Sequence, residues 1–281
     1  MSDDFADIAF LVTVSPVGTD HPRPVVGVDG PVAGADVTYD HHATGEVVNL
    51  LAVPARVRRP GTLATTMLDA DAVLSAALVL LRSGGEEDAI QAVWPPLFET
   101  AHLCDHLVPS GRYPAAERAG LGLYCWLKDR GFAGEGSRAS VFRTLTLAMV
   151  AAIREGVLPF DLGYLERLDR MEHEARAAIQ KIAGRVTLLS PEAYVDPLAL
   201  YRVVDTDLSL IMVPREDGAT GYHVGVHPRA YSRIDLRPTL AALAAREPGW
   251  GGRSNTGGSP LEAGSRLPVT EVLAALQAPD A

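Results

Sequence analysis

The pattern of hydrophobic and polar positions changes along the chain. Early on, Ala9 to Val14, Val25 to Val28 and Val37 to Tyr39 are short apolar runs, each closed by turn chemistry or acid: Ser15-Pro16, Asp29-Gly30-Pro31 and Asp40-His41-His42. Runs of this kind predict buried strands of an open α/β sheet, where sites gather at the carboxyl ends of the strands. Thr62 to Met67 is apolar and β-tolerant, and a helix is expected over 70–82, rich in Ala, Leu and Val and closed by Ser83-Gly84-Gly85. Residues 86–107 read as one or two helices interrupted at Pro95-Pro96, and 115–130, 138–155 and 162–182 as further helices.

Beyond about residue 185 strand patterns return. Val186 to Leu189, Ala199 to Val204, Leu208 to Val213 and Tyr222 to Val226 are expected strands. A helix over Leu236 to Ala245, a glycine-rich stretch from Gly249 to Ser265 and a last helix near 269–277 complete the chain. The expected fold class is α/β: an N-terminal α/β domain over 1–135, a helical connector over 136–184 and a smaller C-terminal α+β domain over 185–281.

Composition narrows the function classes. The 281 residues are 47% hydrophobic and 21% charged, which excludes a largely disordered chain. The net charge of −10 argues against tight, non-specific duplex binding, which needs many phosphate contacts, but leaves room for a local phosphate pocket. Two cysteines, Cys104 and Cys125, make neither a disulfide framework nor a four-cysteine zinc site. Leu63 to Leu81 contains Asp69 and Asp71, and Leu145 to Ile153 is too short to span a bilayer. With an acidic amino terminus as well, the expectation is a cytoplasmic protein with no membrane association.

Three clusters carry candidate chemistry. Tyr39-Asp40-His41-His42 follows an expected strand, and a strand end can direct two imidazoles and a carboxylate at one ion; the plain alternative is a polar loop. Asp69-Ala70-Asp71-Ala72 opens a helix: Asp69 suits the N-cap and Asp71 the first turn, which needs no ion, yet two carboxylates this close repel and a cation relieves them. His102-Leu103-Cys104-Asp105-His106 puts His102 and His106 on one helix face with Asp105 near it, as in metal-binding helices or in a plain amphipathic helix. Taken together, the three point to a two-metal hydrolase.

On these residues the chain resembles the DHH phosphoesterase superfamily. Asp40-His41-His42 is similar to its signature, Asp69-x-Asp71-Ala72-x-x-Ser75 to its Asp-x-Asp motif, and Val25 to Asp29 to the strand ending in a metal-bridging aspartate. Gly251-Gly252-Arg253-Ser254-Asn255-Thr256-Gly257-Gly258-Ser259 resembles the glycine-rich motif of the DHH-associated C-terminal domain. Two departures stand out: Met67 occupies the place of the first motif histidine, for which His21 is a substitute, and the Asp-x-Asp motif follows the Asp-His-His motif.

The resemblance implies manganese, two ions, with another divalent metal as the alternative. It makes Asp29, Asp40, His41, Asp69, Asp71, His102, Asp105 and His106 metal-site residues, and Asp40 and His42 catalytic, with His42 on the scissile phosphate. It makes Gly252, Arg253, Ser254, Asn255, Gly257, Gly258 and Ser259 substrate-binding. The expected substrate is a nucleotide or another small phosphate ester; short single-stranded nucleic acid and a homo-oligomer stay open as partners. The competing readings are a hydrolase of a non-phosphate bond on the same scaffold, and a nucleotide- or metal-binding module without turnover.

Overall fold

The structure, a computed structural model, describes residues 4–133, 137–193, 195–260 and 262–278. The chain divides into two compact units, Met1–Leu165 and Glu166–Ala281. The expected domain boundary at 135/136 lies outside the described residues.

The first unit is built on a parallel sheet of β1 (Ala9–Val12), β2 (Val25–Val28), β3 (Val37–Tyr39) and β4 (Thr62–Thr65), in the order β1-β4-β2-β3. The two central strands, β2 and β4, are buried throughout, which is why β2 runs apolar without alternation. Two short helices, α1 (His41–Thr44) and α2 (Asn49–Ala52), lie between β3 and β4. After β4 comes α3 (Ala70–Ser83), buried at every position from Ala70 to Leu81 and packed against β2. Around it lie α4 (Glu87–Ala92), α5 (Trp94–His106), α6 (Glu117–Ala133) and α7 (Arg138–Glu155). Pro95 and Pro96 do not interrupt a helix: they open α5, where a proline's missing N–H costs nothing.

A further helix, α8 (Leu162–Ala177), leads in sequence from the first unit to the second. The second unit is a six-stranded sheet of β5 (Ile179–Ala183), β6 (Val186–Leu189), β7 (Leu208–Pro214), β8 (Thr220–Val226), β9 (Gly251–Gly252) and β10 (Thr256–Gly258), ordered β5-β6-β7-β8-β10-β9. Only β6 and β7 run parallel. Between them lies α9 (Pro197–Val203), followed later by α10 (Arg237–Arg246) and α11 (Val269–Gln277). One sheet face forms the core: Leu208, Leu210, Tyr222, Val224 and Val226 pack with Leu240, Leu243 and Leu276. The mixed α/β class expected from the pattern is the observed one.

Two expected elements differ. The helix expected to reach residue 182 stops at Ala177, because Ile179–Ala183 pairs antiparallel with β6, a partner that local helix preference cannot see. Ala199 to Val204, expected as a strand, is mostly α9: the Asp196 side chain accepts from Leu198 N–H and Pro197 starts the helix, a cap-and-proline signal that outweighs the β-leaning valines.

The glycine-rich stretch is the hairpin β9–β10, seated against β8. A Cβ on Gly258 would lie 2.2 Å from the Tyr222 carbonyl oxygen, so only glycine lets the backbones approach. Gly258→Ala is therefore expected to destabilise the protein by about 1–3 kcal/mol, read as a lower urea midpoint with little change in slope.

Candidate metal centre

Three strands of the first sheet, β2, β3 and β4, are each followed by acidic or histidine residues at the same edge. Asp29 follows β2 in the left-handed region, φ 52°, which an aspartate tolerates better than most residues. Its N–H donates to Tyr39 O at 3.0 Å, and its carbonyl accepts from Thr65 Oγ1 at 3.5 Å, so the turn is tied to β3 and β4. The next residue, Gly30, has φ 109°, and a Cβ there would meet Thr66 Oγ1 at 2.6 Å. Asp40 and His41, both buried, follow β3. Asp69 caps α3 by accepting from Ala72 N–H at 2.9 Å, and Asp71 lies in the first turn, fully buried.

Asp29, His41 and Asp71 each offer a ligand atom, and these atoms lie within 4.8 Å of one another. His41 Nδ1 faces Glu46 O at 3.3 Å, while Nε2 is 3.6 Å from Asp29 Oδ1 and 3.5 Å from Asp105 Oδ2. A proton on Nδ1, held by a carbonyl, leaves the Nε2 lone pair toward the carboxylates, the arrangement of metal-ligating histidines. Asp105 comes from α5, and its Oδ2 is buried without a hydrogen bond. Two carboxylates and a neutral imidazole converging beside such an oxygen fit a divalent ion.

Electrostatics point the same way. Burial pushes the Asp29 carboxyl up to about 9, with the charges of Asp69, Asp105 and Asp40 adding to the effect. Burial likewise raises Asp69, and raises Asp71 well above the carboxylate range with help from Asp29 and Asp105. Cys104, on α5, has its thiol pushed well up by burial and by Asp69, Asp71 and Asp105. The cluster concentrates negative charge that a cation would neutralise.

The two histidines of α5 expected as ligands are engaged elsewhere. His102 Nδ1 is 2.9 Å from Val108 O, His106 Nε2 is 3.1 Å from Val47 O, and the two rings stack at 4.3 Å. Burial, then His106, lowers the His102 pKa. Neither is in the group formed by Asp29, His41 and Asp71. His42 lies in α1, and its side chain is outside the described residues. Met67 is 59% exposed. His21 adjoins Pro22, whose carbonyl accepts from Thr62 at the first residue of β4, so it lies by the opposite, amino-terminal edge of the sheet.

Sequence reasoning missed Asn49. Buried at the start of α2, its Oδ1 accepts from His41 N–H at 2.9 Å, its own N–H donates to Asp71 Oδ2 at 3.0 Å, and its Nδ2 donates to Ser75 Oγ at 2.9 Å. One residue thus holds two of the three ligand residues. Its signal was a lone polar residue inside Val47-Val48-Asn49-Leu50-Leu51.

In the second unit the expected substrate residues form the β9–β10 hairpin and its flanks. The backbone is largely occupied: Arg253 N–H donates to Thr256 O, Leu236 N–H to Ser254 O and Val226 N–H to Asn255 O. Gly257 and Gly258 pair with Gly252 and Gly251, and Ser259 Oγ accepts from Tyr222 N–H at 2.9 Å. Beside them is an open hollow of about 580 Å³ lined by Gly249, Gly251, Gly257, Gly258, Ser259 and His223. Arg253 is exposed and does not line it. His227 is buried, with Nε2 3.2 Å from Tyr201 O.

The geometry sets two expected outcomes. Asp29 rises from 3.8 to about 9, so its protonated form is favoured by the folded state; that stability is present below about pH 4 and is lost as pH rises through about 9. With chelator present, Tm should fall over that range, and a divalent ion should shrink the fall. Asn49→Ala should weaken metal affinity about 10–100-fold by calorimetric titration while far-UV circular dichroism stays unchanged.

No protein-family model matches the chain, and no curated protein does. Among the described residues, no helix is long and apolar enough to cross a membrane. Among solved structures, the chain is similar to the DHH domain of a protein described as a member of a family of ribosomal proteins, at 15% identity and a TM-score of 0.40. The likeness covers 70% of this chain, which spans about half, 52%, of that one. A match of this extent assigns no activity to the chain.

Proposed function

We propose that the chain is a metal-dependent hydrolase of phosphate esters. The observation that carries this reading is the convergence of Asp29, His41 and Asp71 within 4.8 Å at the carboxyl edge of a parallel sheet. The Asp40-His41-His42 and Asp69-x-Asp71 motifs, apart in sequence, supply two of those three residues, which supports the DHH-like reading.

In this reading Asp29, His41 and Asp71 hold the ion, and Asp40, Asp69 and Asp105 supply the further donors that a second ion requires. Manganese suits mixed carboxylate and imidazole donors. A bound divalent ion supplies Lewis acidity toward water and toward a phosphoryl oxygen. Asp29 and Asp69 share a hydrogen bond and burial favours a proton on Asp29, so an ion held there would compete with that proton. Asp105 Oδ2, buried beside His41 Nε2 without a hydrogen bond, is assigned to the ion as one of these donors. His42 is assigned to the substrate phosphate. The β9–β10 hairpin, with Gly252, Arg253, Ser254, Asn255, Gly257, Gly258 and Ser259, is assigned to the rest of a small substrate, a nucleotide or a short oligonucleotide. The acidic balance favours small substrates over duplexes.

Exposed Met67, where the resemblance implies a histidine, favours a second reading: a module that binds metal and ligand without turnover. Hydrolysis of bis(4-nitrophenyl) phosphate with manganese, beside metal content by elemental mass spectrometry, separates the two. The enzyme reading expects turnover that chelation abolishes and that Asp71→Ala lowers by about a hundredfold or more. Metal content without turnover on a panel of phosphate esters leaves the binding module, and no metal uptake sinks both.

A further inference from the structure

The second unit contains a cavity that the hydrolase reading does not use. The sheet face opposite the core is partly covered by α9, and between the two is a pocket of about 460 Å³, within the range of small-molecule sites. Leu200 and Tyr201 of α9, Ile211 and Val213 of β7 and the loop residue Val195 give it apolar walls. Gly225 of β8 shapes it: a Cβ there would lie 2.3 Å from the Tyr201 hydroxyl, so the glycine lets that ring settle on the sheet. The hydroxyls inside are engaged within the protein. Ser209 Oγ donates to Gly225 O at 3.3 Å, Thr256 Oγ1 donates to Val224 O at 3.3 Å, and the Tyr201 hydroxyl interacts with Ser209. Such a lining favours an apolar body over one that must be hydrogen-bonded.

The formal charge around the pocket has one sign. Glu192, an exposed residue, lines it and also lines a second hollow of about 390 Å³, where Glu174 of α8 joins it. The hollow beside the β9–β10 hairpin shares His223 and Thr256 with the pocket and is lined by Glu262. Among the described residues, none of these three linings includes an arginine or a lysine. Arg202, the basic residue of α9, is held away by Glu172, at 2.6 Å. Hydrocarbon walls with carboxylates of one sign at their margin complement a ligand that is apolar along its body and positive at one end.

We propose that this pocket binds a small apolar monoamine, with the hydrocarbon body between α9 and β7–β8 and the ammonium beside Glu192. The site lies wholly in the second unit and needs no metal, so it stands or falls apart from the hydrolase reading.

The test uses the full chain in chelator, followed by amide nitrogen–proton NMR, with 2-phenylethylamine as probe and 2-phenylethanol and phenylacetate as neutral and anionic controls. The amine is expected to shift the amides of Ser209, Ile211 and Gly225, and to bind more tightly than the alcohol and the alcohol more tightly than the carboxylate. Glu192→Gln, at an exposed position that should leave the fold intact, is expected to lower the amine affinity about two- to fivefold and to leave that of the alcohol unchanged. Added salt should weaken the amine and spare the alcohol. Val213→Trp places a ring at the pocket from a residue already 41% exposed, and the spectrum itself reports whether the fold persists. That variant should lose about tenfold or more of the affinity for amine and alcohol alike. Carboxylate binding as tight as that of the amine, shifts confined to other residues, or an amine affinity that Glu192→Gln or a folded Val213→Trp leaves unchanged would overturn the proposal.

Discussion

Mutual repulsion among buried carboxylates is the constraint on which the first unit turns. Asp29, Asp40 and Asp71 are buried, Asp69 and Asp105 adjoin them, and the imidazole of His41 faces Asp29 and Asp105. A fold can carry such a group in two ways: by keeping protons on the acids, or by taking up a cation. The raised values of Asp29, Asp69 and Asp71 describe the first state, and the convergence of Asp29, His41 and Asp71 prepares the second. The parallel sheet produces the crowding, because β2, β3 and β4 run the same way and bring their carboxyl ends to one edge.

Much of this was legible in the chain because the signals are local. The buried runs of β2 and the acids that end them, the N-cap of α3 and the helix over 70–83 all follow from neighbouring residues. What escaped depends on distant partners. The strand Ile179–Ala183 exists because β6 lies beside it, and its exposed Ile182 marks an edge rather than a helix face. The short helices α1 and α2 have no apolar period to announce them.

The candidate site divides in the same way. His41 and Asp71 stood out in local clusters of metal-ligating residues, and Asp29 through the resemblance carried by Val25 to Asp29. The helical spacing of His102 and His106 was also real, but the carbonyls of Val108 and Val47 draw their rings elsewhere, and no spacing rule foresees that. Asn49 shows the converse. It has no motif, and its role appears only when His41, Asp71 and Ser75, far apart in sequence, are seen around one asparagine. In the hairpin, glycines expected to bind substrate are first required by close approach of backbone to backbone, at Gly252 and Gly258.

The placement of Asp29, His41 and Asp71 on three successive crossings of the sheet edge has a topological consequence. An ion held by all three is a crosslink: it closes the chain from Asp29 to Asp71 into loops pinned at one point, with β3, α1, α2 and β4 inside them. Such a clasp acts on the unfolded ensemble as a disulfide does, by removing the freedom of the segments it encloses, but it can be opened by acid or by a chelator without breaking a covalent bond.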